Sequence, residues 1–160
     1  KDADQTVYGL SGSVTINNCE FDGTVESLLN TGTYGTAGAI IGFVDKFESG
    51  KTFEIKVSNT KISGAVKGYN VGGIVGQVMG YTGNKFIFDN VTVTANLETN
   101  SSDKNSTKGA IIDNRPSKDC TINYEITSVT VGETTYNKDN QAPADAFGDR
   151  VTGANITYKN

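Results

Sequence analysis

The feature that most constrains this chain is an eight-residue pattern that returns along it. Asn18-Cys19-Glu20-Phe21-Asp22-Gly23-Thr24-Val25 sets over Asn59-Thr60-Lys61-Ile62-Ser63-Gly64-Ala65-Val66 and then over Asn90-Val91-Thr92-Val93-Thr94-Ala95-Asn96-Leu97. A degenerate fourth copy begins at Ser128. Four residues before each anchor stand Val14, Ile55, Phe86 and Tyr124, and two before stand Ile16, Val57, Phe88 and Ile126. A second block follows: Ala37-Gly38-Ala39-Ile40-Ile41-Gly42, then Val71-Gly72-Gly73-Ile74-Val75-Gly76, then weakly Lys108-Gly109-Ala110-Ile111-Ile112-Asp113. The anchors are unevenly spaced, so the strand-like blocks keep their length while the connectors vary. A chain wound into stacked coils tolerates this, because loops leave the coil without disturbing it. A propeller blade needs four strands per repeat, and about three fit here.

The apolar phase says where the chain bends. Before the anchor, apolar residues sit at minus four and minus two. After it they sit at plus one (Cys19, Thr60, Val91, Val129) and plus three (Phe21, Ile62, Val93, Val131). Strict alternation would place them at plus two and plus four. The phase slips by one residue at Asn, as it does when a chain turns a corner with both flanking strands facing one core. Asn tolerates unusual backbone angles and bonds neighbouring backbone. With coils about 4.8 Å apart, Asn18, Asn59 and Asn90 are expected to form a side-chain ladder. The plus-five position is small each time (Gly23, Gly64, Ala95), which suits a narrow part of the coil.

Composition agrees. Thr, Val, Ile, Phe and Tyr fill the short apolar runs, with only 2 Pro among 160 residues, and these residues fit a pleated, half-buried surface. No helical periodicity is sustained. The expectation is an all-β single domain, a parallel β-helix (β-solenoid) of about four coils with roughly three strands per coil. The repeats fall at about 7–44, 53–78, 86–115 and 121–135, with a C-terminal capping strand at about 146–160. The chain has no His, which excludes imidazole bases, His-dependent triads and His-ligated zinc. A formal charge of −4 without a basic block argues against nucleic acid or an anionic membrane as partner. No apolar run approaches a membrane span.

The blocks Gly9-Leu10-Ser11-Gly12, Ala39-Ile40-Ile41-Gly42 and Gly73-Ile74-Val75-Gly76 resemble the GLUG motif, a Gly-Leu-any-Gly element repeated in bacterial surface and secreted proteins. The surrounding coils are similar to adhesin-like β-helix repeats, over about residues 7–131. The third copy departs, with Ile112-Asp113 where Val75-Gly76 stood, so the last coil is expected to widen or cap. The resemblance implies a surface-exposed or secreted bacterial segment with a structural or adhesive role, flanked by other domains of a longer chain. Host or cell-wall glycans or surface proteins are the partners it implies. It brings no catalytic residues and no cofactor.

Cys19 and Cys120 are the only thiols. Stacked copies hold them more than ~10 Å apart, beyond the ~7 Å limit of a disulfide, so two buried or half-buried free thiols are expected, and no metal site. A glycoside hydrolase needs two carboxylates about 5–9.5 Å apart. Glu20 and Asp22 face outward, where Lys61 and Ser63 are their counterparts. A polysaccharide lyase needs a strong base, and the only arginines are Arg115 and Arg150, so no enzyme is expected. Charges interrupt the Thr columns that would match ice. The polar runs 97–107 and 136–145 read as loops. A sugar-binding alternative rests on Tyr34 and Tyr69, which precede the two best Gly-Ile-Val blocks, and on Tyr81, which follows the second. Exposed aromatic faces stack on sugar rings. The competing reading, which is favoured, is that these tyrosines merely cover the coil.

Overall fold

A computed structural model describes residues 11–29, 35–44, 51–79, 84–114, 121–148 and 154–160. The first copy of the pattern supplies β1 (Gly12–Asn17), β2 (Glu20–Glu26) and β3 (Thr36–Gly38). The second supplies β4 (Phe53–Gly68), β5 (Asn70–Gly72) and β6 (Val75–Val78). The third supplies β7 (Lys85–Val93), β8 (Asn96–Thr99), β9 (Thr107–Gly109) and β10 (Ile112–Asn114). β11 (Ile122–Val131), β12 (Thr134–Tyr136), a 3-10 turn at Ala144–Phe147 and β13 (Ala154–Tyr158) follow. Among the described residues no helix is long and apolar enough to cross a membrane. The fold is all-β and its sheets are parallel: β1, β4, β7, β11 and β13 lie side by side in that order. β2 and β8 flank the second half of β4, and β3, β5 and β9 form another parallel sheet. β6 pairs β10, with bridges to Ile41 and Val44. Parallel neighbours need long crossovers, and here the crossover of each sheet supplies the strands of the others. Only β11 and β12 pair antiparallel among the described strands.

Register follows the sequence pattern residue for residue over most of its length. Val14, Ile55, Phe86, Tyr124 and Ile156 stand side by side, as do Ile16, Val57, Phe88, Ile126 and Tyr158. From the second copy through β11 these residues are buried and form the main core. Aromatic rings fill it: Phe86 lies 6.4 Å from Phe88 and 5.4 Å from Tyr124. Phe147, on the 3-10 turn, continues the stack 5.8 Å from Tyr124, so that turn closes one side of the interior.

The corner is made as the phase slip requires. Asn18, Asn59 and Asn90 have φ of 61°, 48° and 54°, the only non-Gly positive values among the described residues. Left-handed backbone costs most L-residues roughly 1–2 kcal/mol and Asn less. The single reversed residue lets both flanking runs present alternate side chains to one core. β4 and β7 run through this corner without losing their pairing. In the second copy the small plus-five residue has a sharper cause than narrowness: Gly64 has φ +89°, and a Cβ there would stand 1.9 Å from the Gly23 carbonyl oxygen.

Two expectations change. Cys19 is exposed, not buried. β1 and β2 pair only with β4, so the inward positions of the first copy have a described neighbour on one side alone; Val14, in the same copy, is 43% exposed. Cys120 and most of the Gly9-Leu10-Ser11-Gly12 block lie outside the described residues. The polar run 97–107 is not all loop, since its first residues belong to β8 (Asn96–Thr99), whereas 136–145 is mostly loop and is held by its own side chains. Asn137 Oδ1 accepts from the backbone N–H groups of Asp139 and Asn140, and Asn140 Nδ2 donates to the Thr135 carbonyl, which closes the turn after β12.

Candidate functional site

Of the three tyrosines offered as sugar platforms, Tyr34 and Tyr81 lie outside the described residues. Tyr69 sits in the bend between β4 and β5, and its N–H donates to the Gly35 carbonyl at 2.6 Å. It is only 4% exposed, so it offers no ring face of the kind that stacks on a sugar. Its hydroxyl instead donates to Asp103 Oδ2 at 2.9 Å, and Ser106 Oγ donates to its carbonyl. Asp103 Oδ1 accepts from the Asn105 N–H. That backbone bond and the Tyr69 hydroxyl hold the Asp103 carboxyl below its ordinary range. Asn100 Nδ2 donates to the Ser27 carbonyl at 2.8 Å. Tyr69 is therefore a strut that pins the polar segment 100–106 to the body.

The asparagine rungs are side-chain hydrogen bonds at the outer corner. Asn90 Nδ2 donates to Asn59 Oδ1 at 2.9 Å, and Asn59 Nδ2 donates onward to Asn17 Oδ1 at 3.0 Å. The last rung thus ends one residue before Asn18. Ser58 Oγ also donates to Asn17 Oδ1, at 2.8 Å, so both lone pairs of that oxygen are used. Asn18 keeps the corner conformation and gives its N–H to the Ser58 carbonyl. A second pair, Asn155 Nδ2 to Asn123 Oδ1 at 2.8 Å, joins β13 to β11.

Polar groups also meet inside. Asn70, Gln77, Thr107 and Asp113 are all buried. Asn70 Nδ2 donates to Gln77 Oε1, and Thr107 Oγ1 stands 3.1 Å from Asn70 Oδ1 and 2.8 Å from Asp113 Oδ2. Its one proton is shared between two oxygens. Asp113 is the residue that replaces the glycine of the second copy, and the 3-10 turn packs beside it, with Ala146 accepting the Ile111 N–H. On the outer face Lys85 bridges Glu125 at 3.1 Å and Glu54 at 3.6 Å. The hydrogen bond that Lys85 donates to the Glu125 carboxylate is the main cause that raises the lysine's pKa. Such half-exposed pairs contribute little stability. Among the described residues no three acidic or thiol groups gather as a metal site. Asp22 accepts a hydrogen bond from Ser63, and Glu20 lies beside Lys61 in the register, which is surface pairing.

Sequence reasoning missed a cavity of about 620 Å³, within the size range of ligand sites. Leu97, Ala110 and Val131 line it with Lys108, Tyr136 and Asp145. It exists because the fourth copy abandons the pattern. After Val131 the chain turns at Gly132 (φ +58°) and returns as β12 along β11, so no described strand of the fourth copy lies beside β8. The hairpin signal was present as two alternating runs around Gly132-Glu133; the polar character of 136–145 hid it. No protein-family model, curated protein or solved structure matches this chain.

Proposed function

We propose that the chain is a parallel β-solenoid segment of about four coils that acts as a stiff structural and adhesive module, without catalysis, on a bacterial surface or in secreted material. The observation that carries this reading is the column Val14–Ile55–Phe86–Tyr124–Ile156, in register across five parallel strands. Such a stack is stiff because each strand bonds its neighbours along its length, and it displays connectors without altering the coil. The segment 100–106 is held out by Tyr69 and Asn100, a rigid display that limits the ordering cost of binding. The GLUG resemblance supports the surface location and, as partners, glycans or surface proteins. A sugar site built on loop tyrosines loses Tyr69 to burial.

The test is adhesion of protein-coated beads to arrays of glycans and matrix proteins, run beside an assay for polysaccharide cleavage. The expected result is retention on one partner class, reduced several-fold when residues 100–106 are replaced by a Gly-Ser linker. Release of reducing ends or unsaturated sugars from polysaccharides would contradict the non-catalytic reading.

A further inference from the structure

The ladder along the second half of each copy stops abruptly. β2, β4 and β8 lie parallel and in register, with Gly23 beside Gly64, Ala65 beside Asn96, and Val66 beside both Val25 and Leu97. The next rung begins and ends with one bond, Gly132 N–H to the Val93 carbonyl at 2.9 Å. Beyond it the chain folds back into β12, and no described strand pairs with the outer edge of β8. Backbone groups in a parallel strand alternate in direction. Thr94 and Asn100 send their N–H groups back to Ile62 and Gly68, so the N–H and C=O of Leu97 point the other way, into the cavity. Val93, two strand periods before it, points its carbonyl the same way.

We propose that this gap is a strand-addition site, which takes an extended peptide running parallel to β8. The chemistry of the occupant is set by the stack it continues. One column reads Gly23, Gly64, Ala95, so the added strand carries a small residue there. The Val25–Val66–Leu97 column asks for an aliphatic residue. The charged column alternates Glu26, Lys67, Glu98, with Lys67 Nζ 3.9 Å from Glu98 Oε2, so the next member is basic. The occupant is therefore a peptide of the form small–any–aliphatic–basic, which the chain's own Gly64-Ala65-Val66-Lys67 exemplifies. Main-chain bonds supply affinity in this mode and the alternate side chains supply selectivity. Leu97, Ala110 and Val131 give the aliphatic residue an apolar wall, and the open edge of β8 gives the backbone its partners. The site rests on the strand register and stands whether or not the molecule works at a cell surface.

The probe is a fluorescein-labelled peptide with the sequence of residues 61–68, titrated with the intact 160-residue chain and followed by fluorescence anisotropy. Saturable binding is expected. Leu97→Pro removes the N–H that faces the gap while sparing the ladder to β4, a position where a strand tolerates proline, and should weaken binding about tenfold or more. Leu97→Val keeps the N–H and should stay within about twofold of the parent. A peptide with Glu in place of its Lys67 equivalent should bind more weakly. Should Leu97→Pro fail to fold, a peptide N-methylated at the positions of Ala65 and Lys67, whose amides would face β8, gives the same test and should not bind. Absence of saturable binding, equal binding by Leu97→Pro or by the N-methylated peptide, or capture of an oligosaccharide at Tyr136 in place of the peptide overturns the proposal.

Discussion

The third and fourth copies of the pattern share an interior column and part at the corner and the residues just after it. In the third, Asn90 adopts φ 54° and its amide reaches Asn59. The chain then continues as β8 alongside β4. In the fourth, Ser128 stands at the anchor, outside the positive-φ set, and the register with β7 shifts on both sides of it. The chain then reverses at Gly132 and pairs with itself. Burial before the corner is the same, since Phe86 and Tyr124 are both enclosed. The difference teaches that apolar alternation sets the stack, while the corner and the residues just after it decide whether the chain goes on wrapping. Where it stops, a turn of backbone and a 3-10 segment take over the covering, and a cavity remains.

The harshest way to break this comparison is to attack the column that the two copies share. Phe86→Ala and Tyr124→Ala should each cost about 3–5 kcal/mol in urea denaturation, whereas Val14→Ala at the open first copy should cost under about 1 kcal/mol. A loss confined to Phe86 would separate the copies. Next come two of the positive-φ glycines, Gly64 and Gly132. Gly64→Ala meets the Gly23 carbonyl and should cost about 2 kcal/mol or more. Gly132→Ala has open space around it and should cost about 1 kcal/mol from backbone alone. The corner residues sharpen the contrast further. Asn59→Ala should destabilise by about 1–2 kcal/mol through the lost rungs and the left-handed backbone, with Asn59→Gly recovering part of it. Ser128→Ala should stay within about 0.5 kcal/mol; equal losses at both sites would erase the distinction.

The smallest effect appears only in alkali. Burial, with the charge of Asp113 adding, holds the Tyr124 phenol well above its ordinary 10.0. Above pH 10 the unfolded chain releases this proton and the folded one keeps it, so the folded state binds more protons and stability falls as pH rises. Below that pH the contribution is fully present. Tyr124→Phe should flatten the fall, measured as urea midpoints from pH 8 to 11; an unchanged slope would show that Tyr124 is not the group responsible.

Much of the architecture was legible because period and phase are local properties of the chain. The columns through Ile55 and Val57, and the reversed backbone at Asn59, follow from alternation and its slip alone. The endpoint of the asparagine rungs was not legible: Asn17 accepts in place of Asn18, and the repeat pattern does not single out Asn17. Exposure of Cys19 was hidden too, because an inward position is buried only if something stacks on both sides. Tyr69 reads in sequence as cover for the coil, the favoured reading, or as a sugar platform; its burial and its bond to Asp103 make it a strut, and the position of Asp103 was not legible. The cavity lies where the fourth copy reverses at Gly132, a hairpin signal that the polar run after it hid.

Side-chain contacts across copies test the account most directly. In a methyl-labelled sample, nuclear Overhauser effects from the Val57 methyls should reach both Ile16 and the Phe88 ring, because neighbours in a parallel column lie about 5 Å apart. If Val57 instead showed contacts to residues of an adjoining hairpin and none to Ile16 or Phe88, the copies would not be stacked in register and the account would fail.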